Sequence, residues 1–166
     1  MLDIFNKIVG VLTWRAAQIA QIALFLAMMI IAGNVILREF WKPLPGTVEL
    51  AEMCGAVLLG MGVAYTAMMK GHIAVSVLVD RLKPRIRGIV ELVVSIIAFL
   101  FSFVLAREIF LYALYMMERG YSTGHLGLPM APSIFFVAFG FIMLSLVLVR
   151  DLIKAVITVV KGSESE

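Results

Sequence analysis

Long apolar runs with few or no charges alternate along the chain with short polar, glycine- and proline-bearing breaks. The first run covers 16–37, about 22 residues, enough to cross a ~30 Å hydrocarbon layer as a helix rising ~1.5 Å per residue. Others cover 50–69, 89–117 and 132–149, the third continuing through Arg107 and Glu108 as a long, tilted span. Two further stretches are amphipathic. Over 2–14, Leu2, Phe5, Val9 and Leu12 recur at helical spacing. Over 74–87, Val75, Leu78, Val79, Leu82 and Ile86 form a stripe, with Asp80, Arg81, Lys83, Arg85 and Arg87 on other faces and Pro84 as a break. Both fit helices lying along a membrane surface. The pattern predicts an all-α integral membrane protein, one membrane domain over 1–166 with four transmembrane helices plus amphipathic membrane-surface helices.

The breaks have their own chemistry. Lys42-Pro43-Leu44-Pro45-Gly46 cannot sustain a helix and is read as a turn. Thr47 then offers an N-cap, and Glu49 and Glu52 suit the positive end of the following helix. Gly120, Gly124, Gly127, Pro129 and Pro132 make a second irregular segment, which belongs at the interface because bare backbone is not tolerated in lipid. After the fourth run, Arg150, Asp151, Lys154, Thr158 and Lys161 share one face, so that helix is expected to leave the bilayer half-solvated.

Composition supports the membrane reading. Of 166 residues, 63% are hydrophobic and 15% charged, where a soluble domain is nearer half apolar and a quarter charged. The net charge of +3 is concentrated in particular connections, which speaks for topology and against a nucleic-acid partner. With both termini inside (N-in/C-in), only Arg38, Lys42, Arg107 and Arg119 of the basic residues face outward, as the positive-inside rule requires. Tyr112, Tyr115 and Tyr121 then fit an outer aromatic belt. The first run is longer than a signal-peptide core and lacks a small-residue cleavage pattern, so it is read as a retained span.

Catalytic chemistry is not visible. The first span offers Gln18, Gln21 and Asn34, and no carboxylate lies near the middle of a clean span. Cys54 is alone, and His72 and His125 fall in connections, so no haem, metal or other cofactor is expected, nor an enzyme. Packing surfaces are visible. Ala16, Ala20, Ala23 and Ala27 run down one side of the first span, and Ala56, Gly60 and Ala64 repeat every fourth residue in the second. Such stripes serve packing within the chain or docking to a partner subunit. Arg38, Glu49 and Glu52 should meet near the outer interface, either snorkelling to water or joined as an Arg38–Glu49 pair. Arg107 and Glu108, about 100° apart on the helix, would anchor the outer end of the third span or bind a neighbour.

The string Asn34-Val35-Ile36-Leu37-Arg38-Glu39-Phe40, then Pro45-Gly46-Thr47-Val48-Glu49-Leu50, resembles the small membrane subunit of tripartite ATP-independent periplasmic (TRAP) transporters. Lys70-Gly71-His72-Ile73-Ala74-Val75 after the second span and Leu128-Pro129 before the fourth are similar to that family's pattern in the same order. The resemblance implies a scaffold in the bacterial inner (cytoplasmic) membrane. Its partners would be a large multi-span subunit carrying out sodium-coupled, elevator-type transport, a periplasmic substrate-binding protein delivering an organic acid (a carboxylate or sulfonate), and membrane lipids. On the residues alone, a free-standing homo-oligomeric channel or export protein associating through Ala56, Gly60 and Ala64 is the alternative.

Overall fold

The computed structural model describes residues 2–69 and 84–163. They form four long helices, α1 (Leu2–Phe40), α2 (Thr47–Met68), α3 (Pro84–Glu118) and α4 (Ala131–Ser163), each long and apolar enough to cross a membrane. His72 and most of the surface helix expected over 74–87 lie outside the described residues; 84–87 form the first turn of α3. The surface helix expected over 2–14 is not a separate element: those residues run into the first span as one helix. Gly10 alone is too weak a breaker to interrupt it, and Val9 packs on Ala67 and Val147, which holds this stretch against α2 and α4. The fourth helix continues past 149 to Ser163, as its one-sided charge pattern predicted.

The helices stand in a row. α1 packs on α2, α2 on α4, and α4 on α3, while α1 touches α4 only lightly. Neighbours in sequence are therefore not always neighbours in space, because α4 stands between α2 and α3. Burial follows this order. Within the apolar windows 39% of α4 residues are buried, against 11% in α1 and in α3, so α4 is the centre and α1 and α3 are the edges.

Three sets of contacts fix the registers. Trp14 lies against Tyr65 with ring centroids 5.9 Å apart, and Ala16 and Ala20 pack on Met61, so α1 and α2 are antiparallel. Phe110 meets Phe135 at 5.6 Å, and lower down Ser102 and Ser145 share a hydrogen bond of 3.0 Å, so α3 and α4 are antiparallel too. α2 and α4 run parallel, with Gly60 against Val137 and Ala67 against Val147. Here the small-residue stripe finds its use. A β-carbon on Gly60 would lie 2.6 Å from the Val137 Cα, and one on Gly140 would overlap the Gly60 carbonyl group. Close backbone approach gains dispersion contacts, which drive helix association where lipid removes the hydrophobic force.

Candidate functional site

Both short connections lie at one end of the row, the loop end, and are fastened to each other. Gly46, not Thr47, is the N-cap of α2, in the left-handed region at φ 76°. The Thr47 hydroxyl turns back and donates to the Leu44 carbonyl at 2.7 Å, while the Leu44 N–H donates to Asn34 Oδ1 at 2.9 Å. Asn34 therefore closes the α1–α2 turn from inside the last turns of α1.

The other connection, 119–130, is an ordered loop. Gly120 ends α3 with φ 66°, its N–H bonding the Met117 carbonyl and that of Tyr121 bonding the Met116 carbonyl. This is a Schellman arrangement, in which a left-handed glycine lets the last carbonyls of a helix find donors. The chain then folds back on itself: Thr123 N–H bonds the Leu128 carbonyl at 2.9 Å, and Met130 N–H bonds that of Tyr121 at 3.2 Å.

Glu49 joins the two connections. Its carboxylate accepts the backbone N–H groups of His125 at 2.7 Å and Leu126 at 3.1 Å. The Arg38–Glu49 pair considered from sequence does not form; Arg38 lies exposed in the last turn of α1. The loop amides are the better partners because they converge on one carboxylate, and charged acceptors make the stronger hydrogen bonds. Glu49→Gln keeps the shape but removes the charge and turns one acceptor into a donor. Amide hydrogen exchange at His125 and Leu126 is expected to quicken by roughly tenfold or more, with α2 and α4 protected as before. Unchanged protection in the loop would show that Glu49 does not hold it.

The remaining expected residues separate. Glu52 is exposed and shares a recess between α1 and α2 with Asn34 and Thr47. Ala56 is half-buried, whereas Gly60 and Ala64 are buried within the chain. The stripe on which a self-associating pore would depend is thus largely consumed by α1 and α4. Ala16, Ala20 and Ala23 are likewise buried.

Arg107 and Glu108 do not lie at the outer end of α3. They precede its last residue by about ten positions, about 15 Å along the axis. They pair with each other and are exposed, at 65% and 57% of their side-chain surface.

Sequence reasoning missed two features of α4. Gly140 is the counterpart of Gly60, and Ser145 bonds both Ser102 and the Phe141 carbonyl (2.9 Å). Among the described residues no group of His, Cys, Asp and Glu side chains is placed to hold a metal. One groove, of about 560 Å³, is lined by apolar residues such as Ile19, Met61, Phe110 and Phe136.

Residues 27–158, from the middle of α1 to near the end of α4, match the family model of tripartite ATP-independent periplasmic transporters, DctQ component. The chain belongs to the DctQ family. No curated protein and no solved structure matches it. As a DctQ component it is the small membrane subunit of a TRAP transporter, a system that also has a large membrane component and a periplasmic binding component. The DctQ family is one of transporter components rather than enzymes.

Proposed function

We propose that the chain is the scaffold subunit of a sodium-coupled TRAP transporter in a bacterial inner membrane. It flanks a large elevator-type subunit during uptake of an organic acid, a carboxylate or sulfonate, that a periplasmic binding protein delivers. The observation that carries this reading is the single row of helices. Its two edge helices keep most of their apolar surface open, and its polar contacts fasten the chain's own connections and the α3–α4 pair. Such a chain is suited to being packed against.

With the termini inside, the loop end faces the periplasm, where the binding protein docks. The Glu49 clasp then supplies a firm outer rim, and the recess holding Asn34 and Glu52 opens on the same side.

Reconstitution tests the proposal. The purified chain in liposomes should move no organic acid. With the large component it should form a stable heterodimer that takes up substrate only when a sodium gradient and the binding protein are both supplied. Uptake by the chain alone would refute the reading. Arg38→Ala should lower the yield of that heterodimer and leave the KM of uptake unchanged; normal yield with an altered KM would count against a scaffold role for Arg38.

A further inference from the structure

The recess between α1 and α2 at the loop end holds polar groups that the Glu49 clasp does not use. It has a volume of about 470 Å³ and is lined by Ile31, Asn34, Val35, Thr47, Ala51 and Glu52, among others. The Thr47 hydroxyl is committed to the Leu44 carbonyl. Asn34 accepts the Leu44 N–H through Oδ1, so its amide nitrogen still carries two N–H donors that no described residue takes. Glu52 is exposed, and no described residue pairs with its carboxylate. The recess thus offers one fixed anion and one pair of amide donors between apolar walls.

Its level in the bilayer follows from α2. At 22 residues, α2 is about 33 Å long, little more than the ~30 Å hydrocarbon layer, so each of its ends lies close to an interface. Glu52 stands about 7.5 Å along α2 from Thr47. A helical side chain leans toward the N-terminus of its helix, which carries the Glu52 carboxylate toward the headgroups. Phe40 and Trp41, both 81% exposed beside the turn, mark the same interface. Val35 and, one turn deeper, Ile31 continue the recess along the edge helix α1 with open apolar surface. A cation outermost, then an acceptor oxygen, then a hydrocarbon chain is the order of groups that would fill it.

We infer that this recess is a binding site for one aminophospholipid, of the phosphatidylethanolamine type. The lipid's ammonium group donates to the Glu52 carboxylate, a phosphate or ester oxygen accepts from the Asn34 amide, and an acyl chain lies along Val35 and Ile31. Charge selects among lipids. Phosphatidylglycerol brings an anion and no cation to Glu52, and the quaternary ammonium of phosphatidylcholine has no N–H to donate, so it forgoes the charge-assisted hydrogen bond. A lysine of another protein would satisfy Glu52 but would leave the amide donors and the apolar wall unfilled. The site requires only that the loop end meets a membrane face, and it stands or falls apart from the scaffold reading.

The full-length chain in detergent micelles, titrated in turn with phosphatidylethanolamine, phosphatidylcholine and phosphatidylglycerol, gives the test by native mass spectrometry. One phosphatidylethanolamine should be retained roughly tenfold more tightly than either of the others. Glu52→Gln removes the charge from an exposed side chain that holds nothing else in place, so helix content should stay as it is. Its affinity for phosphatidylethanolamine should fall to that for phosphatidylcholine. Val35→Trp, at a position 64% exposed on the recess wall, fills the space with Glu52 intact and should abolish the same preference, an arm that stands even if Glu52→Gln fails to accumulate. Equal retention of the three lipids by the wild type, or a preference that survives both substitutions, would overturn the inference. So would a Glu52→Gln chain that keeps the lipid preference but loses affinity for the periplasmic binding component, since the recess would then serve a protein side chain.

Discussion

Replacing Gly140 by alanine is expected to force α2 and α4 apart and to destabilise the isolated chain by about 3 kcal/mol or more, the upper end of ordinary overpacking costs. The collision is with the Gly60 carbonyl group and the Met61 nitrogen, which are backbone atoms inside a helix and cannot rotate aside. Relief requires moving a whole helix, and α2 is held on its other flank by α1. Gly60→Ala should act in the same direction, since its added carbon would lie 2.6 Å from the Val137 Cα. Gly33 and Gly55 supply the contrast. Nothing lies within 4 Å of a β-carbon at either, and alanine there should be neutral or stabilising by up to about 1 kcal/mol, its helix-propensity advantage. Equilibrium unfolding in mixed detergent micelles, followed by helix content, checks all four variants. A Gly140→Ala midpoint equal to wild type would mean that the two backbones do not touch.

The second large effect belongs to Gly46. At φ 76° an alanine pays the left-handed penalty of roughly 1–2 kcal/mol. Its β-carbon would also strike Leu126, whose Cδ1 would be 2.6 Å away. The two causes can be separated, because Leu126 is a side chain and can be shortened. Gly46→Ala alone should destabilise the chain by about 2 kcal/mol or more and loosen the 119–130 loop, seen as faster limited proteolysis there. Adding Leu126→Ala should recover the steric part and leave the conformational part of roughly 1–2 kcal/mol. Full recovery in the double variant would show that the backbone conformation at 46 carries no cost.

The existence of four span-length helices was legible because a soluble fold rarely has use for a charge-free run of bilayer length. Ala56, Gly60 and Ala64 were legible as a packing stripe because their spacing repeats each helical turn. Their partner was not. Gly140 has Phe136 and Leu144 four residues to either side, so no repeat marks it, and only the register of two helices reveals it. Glu49 shows a different limit. Arg38 was the near charge in sequence, but the groups that hold Glu49 are backbone amides in a loop 76 and 77 residues on, which leave no side-chain signature. The order of the row was hidden for a topological reason. Short turns announce the α1–α2 and α3–α4 pairs, whereas the longer connection between α2 and α3 allows α4 to enter between them. Arg107 and Glu108 read from sequence as an anchor for the outer end of the third span or as a contact for a neighbour, and they stand about ten residues before the end of α3.

Helices standing in a line have two sides and no inside. A conduit for a charged solute needs walls all round to hold a column of water in oil, and four helices can supply them only by closing into a ring. Here α1 and α3 stand at opposite edges of the row. No lumen can therefore belong to the described part of this chain by itself, whatever its length or polarity. Walls that close a path beside the described helices would have to come from residues other than these.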